Sequence, residues 1–159
     1  MMEFLGALEQ SALAVWVREA STIWAYPTII TLHTVGLAIL VGANAAVDLR
    51  FLGVARRIPL AEMEQFFRYM WVGFWINAIS GALLFTTEAT TKGVAHIFLI
   101  KLGFIAVGVT LIVLLRRSVY GHGTEIVAVP ASAKAFAAIS LFVWAAAITA
   151  GRLQAYITL

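Results

Sequence analysis

The sequence predicts an all-α membrane protein: a four-transmembrane-helix antiparallel bundle with an amphipathic N-terminal helix lying in the membrane interface. Three observations predict it. The 159 residues are 62% hydrophobic and only 12% charged, with a mean hydropathy of +0.95, far from the composition of a soluble domain. Four apolar runs, near 24–48, 68–88, 96–116 and 133–157, are each long enough at about 1.5 Å per residue to cross a hydrocarbon core of about 30 Å. A chain of this length has room for one membrane domain, 1–159, and not for two separately packed cores.

Residues 1–20 carry Phe4, Leu5, Leu8, Ala12, Val15 and Trp16 at helical spacing, with Glu3, Glu9, Gln10 and Arg18 largely off that stripe. The segment begins Met-Met-Glu and holds Glu9 inside it, unlike a basic, cleavable leader, so it is expected to be retained. Ser21 or Thr22 can cap the next helix, Pro27 suits its first turn, and Trp24 and Tyr26 fall where an aromatic belt belongs. The first span then runs to Asp48-Leu49-Arg50 with one ionisable residue inside it, His33.

After a loop holding Arg56, Arg57 and Pro59, residues 61–68 are expected to form the exposed start of the second helix. Its span contains Trp71, Trp75, Asn77, Ser80 and Gly81, with Glu88 at the far end. A short polar turn over 86–93 leads to the third span, which starts near His96, contains Lys101 and stops at Arg116-Arg117. Residues 118–132, with His122, Gly123 and Pro130, form the longest predicted loop and the expected site of mobility. The fourth span carries Trp144 and, near its end, Arg152. Short connections favour an up-down-up-down arrangement of two hairpins.

Charge orients the bundle. Arg50, Arg56, Arg57 and Arg68 border the first loop, and Arg116, Arg117 and Lys134 the third, against Lys92 alone in the second. The positive-inside rule makes the first and third loops cytoplasmic and both termini periplasmic in a bacterial-type inner membrane. The excess of cations is therefore topological, and no nucleic-acid partner is expected; the partners are the lipid bilayer and, at most, further copies or a larger membrane complex. The chain has no cysteine, which excludes internal disulfides, zinc–thiolate sites and cysteine-held iron–sulfur clusters.

With that topology His33 lies roughly 9 Å, Lys101 roughly 7–8 Å and Arg152 roughly 6 Å below the outer ends of their spans. Glu88 closes the same layer from the second helix. His33, Gly36, Leu40 and Asn44 share one face of the first span, and Gly73, Asn77, Gly81, Leu84 and Glu88 one face of the second. Such stripes let two backbones approach closely or leave room for a flat ligand. Ionisable groups inside a membrane are costly and need a reason. The plain one is packing: His33 bonds a neighbouring carbonyl, Lys101 and Arg152 snorkel, and Glu88 pairs with either. His96 and His122 read as solvated, and the tryptophans as belt or core.

The sharper reason is haem b between the first and third spans: His33 as axial ligand, Lys101 as second ligand or propionate partner, Arg152 as anchor. The candidate cofactor-binding residues are thus His33, Lys101, Arg152, Asn77 and Glu88, and the candidate metal ligands His33 and Lys101.

The run Leu32-His33-Thr34-Val35-Gly36-Leu37, with Val41-Gly42 and Val47-Asp48-Leu49-Arg50, resembles the first helix of a family of small four-span bacterial inner-membrane proteins. The likeness continues through Trp71-Val72-Gly73-Phe74, Ser80-Gly81-Ala82-Leu83-Leu84-Phe85, Lys101-Leu102 and Gly151-Arg152-Leu153-Gln154-Ala155-Tyr156, and it implies a fold and no activity. More distantly, a histidine in the first span and a lysine early in a later one resemble the HemJ-type protoporphyrinogen oxidases, which implies haem ligation by His33 and Lys101. That family's Pro-Arg segment is replaced by Asp48-Leu49-Arg50, and a further histidine of its third helix has no counterpart. The His33-x-x-Gly36 spacing is also similar to CopD-like copper proteins, although Met63 and Met70 fall at the other end of the bundle from His33.

The leading expectation is a membrane-embedded haem-b-binding protein with a redox or haem-handling role. The alternatives are a non-enzymatic accessory subunit whose Gly73–Gly81 face packs on another protein, and a copper-handling membrane protein.

Overall fold

The structure, a computed structural model, describes residues 1–121, 128–154 and 156. Seven helices follow one another among them: α1 (Met2–Glu9), α2 (Ala12–Glu19), α3 (Tyr26–Phe51), α4 (Leu60–Thr86), α5 (Ala89–Lys92), α6 (His96–Tyr120) and α7 (Ala131–Leu153). Four of them, α3, α4, α6 and α7, are long and apolar enough to cross a membrane, as the sequence predicts. They form two antiparallel hairpins, α3–α4 and α6–α7, joined mainly where α3 meets α7. Arg56 and Arg57 between α3 and α4 lie at the same end as Arg116 and Arg117 near the end of α6, and the N-terminal helices sit at the other end.

Hydroxyls inside these spans are satisfied without water. Thr28, Thr31 and Thr34 return their protons to the carbonyls of Ile23, Pro27 and Ile30 at 2.6, 2.7 and 2.9 Å, and Thr110 and Thr149 do the same on α6 and α7. Large apolar side chains such as Trp75, Ile79 and Phe142 are exposed around the bundle, as a lipid-facing surface requires. Pro27 falls at the start of α3 as expected, but neither Ser21 nor Thr22 caps that helix. The Thr22 hydroxyl instead accepts from the Trp24 N–H in a local turn, and helical geometry begins four residues later. The last span, α7, ends at Leu153, and His122 and Gly123 of the long third loop lie outside the described residues.

The N-terminal segment is helical and amphipathic but divides in two. Ser11 closes α1 by donating to Leu8 and opens α2 by accepting from Ala14, so the chain turns at Gln10–Ser11. Leu5, Ala14 and Val17 face inward, while Phe4 and Trp16 remain exposed on the other side. The inward side docks on the α4–α6 connection: Glu9 accepts from the backbone and hydroxyl of Thr90 at 2.9 and 2.6 Å, and Arg18 reaches the Thr87 carbonyl. These two Thr90 bonds, hydroxyl first, hold the Glu9 carboxyl below the ordinary carboxylate range.

The apolar core is lopsided. Val47, Phe51, Met63, Phe67, Leu115, Val119 and Ala137 cluster in the arginine-rich half. Toward the N-terminal end the cluster thins to Trp144 and Ala147, beyond which a stacked pair, Phe85 on Phe98 with centroids 5.2 Å apart, ties α4 to α6. The half that holds His33 and Lys101 is therefore the less densely packed one.

Candidate functional site

The two glycine-rich stripes meet each other. A Cβ on Gly36 would stand 2.6 Å from the Asn77 nitrogen, and one on Gly73 would stand 2.6 Å from the Leu40 nitrogen, so the backbones of α3 and α4 are in direct contact. No slot for a flat ligand remains between these two helices. The same contact consumes the Gly73–Gly81 face that the accessory-subunit reading offers to another protein.

That contact also sets His33. Its Nδ1 lies 3.0 Å from the Asn77 carbonyl and 3.2 Å from Ser80 Oγ. The carbonyl can only accept, and the Ser80 proton is already given to the Ile76 carbonyl at 2.6 Å. Nδ1 must therefore carry the hydrogen, which leaves the lone pair of the neutral imidazole on Nε2. Asn77 closes the clamp by donating its amide to the His33 carbonyl at 2.8 Å. Gly81 lies against the ring: a Cβ there would come within 2.9 Å of Cε1 and 3.3 Å of Nδ1. A histidine whose Nδ1–H is pinned to a carbonyl while Nε2 stays unprotonated has the arrangement that metal-ligating histidines use.

Lys101 comes from the other hairpin. It is half-buried on α6 with its side chain against Gly151 of α7. The remaining candidates lie at the rim. Glu88 precedes α5 and pairs with Lys92 at 3.1 Å, mostly exposed, so its carboxylate is engaged in the turn. Arg152 is exposed in the last turn of α7 and makes no ion pair among the described residues. His96 is exposed at the start of α6, in keeping with a solvated side chain. The structure thus joins His33 to Asn77 directly, seats Lys101 on the other hairpin against Gly151, and leaves Glu88 and Arg152 at the periphery. Ser80, which decides the tautomer, was not among the candidates; its position three residues beyond Asn77 was the available signal.

Among the described residues no three of His, Asp and Glu cluster as a metal ion's ligand set. Met63 and Met70 are buried core side chains in the arginine-rich half. A groove of about 410 Å³ between α6 and α7, lined by Ile97, Ile100, Phe104, Phe142 and Leu153, receives nothing from α3 or α4 and does not include His33.

A second polar group lies in the arginine-rich half. Asp48, expected to mark the end of the first span, is instead wholly buried three residues inside α3. Asn44 gives its amide to Asp48 Oδ2 and to Ser140 of α7, at 2.5 and 2.8 Å. The continued four-residue rhythm Gly36, Leu40, Asn44, Asp48 was the sequence signal for this burial.

No protein-family model, curated protein or solved structure matches this chain.

Proposed function

We propose that this protein binds haem b in the N-terminal half of its bundle and has a redox or haem-handling role. The observation that carries this reading is the forced tautomer of His33, with Nδ1–H held by Asn77 and Ser80 and Nε2 left as a donor. The donor set fits the group. A bare copper or zinc ion asks the protein for three or four ligands, and the described residues offer no such cluster. A porphyrin brings four nitrogens and asks for one or two axial donors, a number that His33 and Lys101 meet. This is also why haem is favoured over copper.

The residues have separable tasks. Asn77, Ser80 and Gly81 fix the plane and tautomer of the imidazole; Lys101 serves as second ligand or as propionate partner; Arg152, exposed at the end of α7, anchors a carboxylate at the rim. Haem, when bound, supplies one-electron chemistry. By the positive-inside rule the arginine-rich loops face the cytoplasm of a bacterial-type cell, so this half of the bundle opens toward the periplasm. The likeness to HemJ-type proteins at His33 and Lys101 points the same way.

The test is the absorption spectrum of the protein extracted from membranes with haem available. A Soret band lost in His33→Ala, in a variant that elutes as the wild type does, supports the reading. A colourless wild-type protein that cannot be reconstituted with haem refutes it.

A further inference from the structure

Asn44 Oδ1 and Asp48 Oδ1 are buried and accept no hydrogen bond among the described residues, although their partner atoms Asn44 Nδ2 and Asp48 Oδ2 are joined to each other. Asn44 and Asp48 are 1% and 0% exposed, and a buried acceptor left without a donor costs about 1–3 kcal/mol. Two orphaned acceptors on bonded neighbours call for something positive or hydrogen-donating between them.

The surroundings select what it is. Among the described residues Asp48 makes no ion pair: its polar neighbours are Asn44 and, through it, Ser140 of α7, and the buried side chains of α4 and α6 in this half belong to the apolar cluster. The nearest arginine in sequence, Arg50, is spent on the carbonyls of Ile58 and Arg56 at 2.7 and 3.2 Å. An ionised carboxylate would therefore be a buried charge without a counter-ion, the costliest state a side chain can adopt in a bundle. A metal cation needs five or six oxygens and space; here three side chains, Asn44, Asp48 and Ser140, converge within close-packed apolar residues. A proton needs neither.

We propose that Asp48 and Asn44 form an internal proton-binding site near the arginine-rich end of the bundle, in which Asp48 holds a proton while α3 and α7 are packed together and yields it to water when they part. The proton enters on Asp48 Oδ1, turning an orphaned acceptor into a donor, and leaves as hydronium from the adjacent basic loop, with no other bond made or broken. Asp48 lies about 4.5 Å from the end of α3, so a small separation of the hairpins suffices to wet it. This assignment is independent of haem.

The experiment is infrared spectroscopy of the full-length protein in lipid at neutral pH. Wild type is expected to show the carbonyl stretch of one protonated carboxylic acid, shifted in heavy water, and Asp48→Asn to lack it. A second measurement counts protons by difference: unfolding with a strong detergent in weak, mildly acidic buffer should release about one proton per chain more from wild type than from Asp48→Asn, because an exposed aspartate has a pKa of about 3.9 and ionises. A wild-type spectrum with carboxylate bands alone, or a proton release no larger than that of Asp48→Asn, overturns the proposal. So does stabilisation by sodium over choline in the absence of the acid band, which would assign the site to a metal cation.

Discussion

Replacing Gly73 by alanine tests the central packing claim with one methyl group. The added carbon would lie 2.6 Å from the Leu40 nitrogen, 2.8 Å from the Gly36 carbonyl oxygen and 3.0 Å from the Leu40 Cα, against ordinary contacts of 3.4 Å or more. All three obstacles are backbone, so no side chain can swing away. Relief requires α3 and α4 to separate by about 0.8 Å, the difference between 3.4 and 2.6 Å, along the line of that contact. Overpacking of this kind costs about 1–3 kcal/mol. The same displacement stretches the paired bonds between His33 and Asn77, now 3.0 and 2.8 Å, each worth about 0.5–1.5 kcal/mol. A total loss of about 2–4 kcal/mol is therefore expected in a reversible denaturation in mixed detergent micelles. Gly42→Ala and Gly103→Ala are the controls: nothing stands within 4 Å of either added methyl, and each should be neutral or gain up to about 1 kcal/mol from helix propensity. If Gly73→Ala unfolds with the wild type, or if the three variants behave alike, the direct backbone contact of α3 with α4 is wrong.

Other consequences are read in the same way. Asn77→Leu removes the side-chain half of the His33 clamp, the amide bond to the His33 carbonyl, and leaves the backbone carbonyl that accepts from Nδ1, so it should lower haem affinity by up to about tenfold, measured by reconstitution, and by less than His33→Ala does. Gly108→Ala brings a methyl within 2.8 Å of the Trp144 ring and should destabilise by about 1–3 kcal/mol, with a change in tryptophan fluorescence. Docking of α1 and α2 through Glu9 should depend on pH. Thr90 lowers the carboxyl's pKa in the folded chain, so the stabilisation is complete above the ordinary value of 4.5 and is lost as the pH falls through the lowered one. Limited proteolysis of the N-terminal segment should accelerate over that acid range, and Glu9→Gln should show the accelerated rate at neutral pH.

The long-range pairing of the first two spans was legible because glycines and asparagines at four-residue spacing leave few ways for helices to meet. Gly36, Leu40 and Asn44 on one helix and Gly73 and Asn77 on the next identify the contact face before any coordinate is known. Two things were hidden. Asp48 looks like a boundary residue because a carboxylate close to an arginine usually marks the water line; the four-residue rhythm from Gly36 puts it on the buried face, but its polar surroundings include Ser140, ninety-two positions later, which no local pattern links to it. The division of the N-terminal helix at Ser11 was hidden for the opposite reason. The apolar stripe is continuous enough for one helix, and what breaks it is a tertiary bond, Glu9 to Thr90, together with a local cap that a serine alone does not announce.

The distribution of packing has a consequence for how a ligand and the fold depend on each other. The apolar cluster and the Asn44–Asp48–Ser140 group hold the arginine-rich half together, whereas His33 and Lys101 belong to hairpins that approach each other with little apolar contact at their own level. The bundle can therefore assemble without a group at His33, and binding there adds stability according to occupancy alone, about 2.7 kcal/mol at a hundredfold excess over the dissociation constant. A structural histidine at the same place has no such dependence, and its removal acts whether or not haem is supplied. The two accounts of His33 thus differ in a measurable way: ligand-dependent stability that vanishes in His33→Ala belongs to the first, and a ligand-independent deficit to the second.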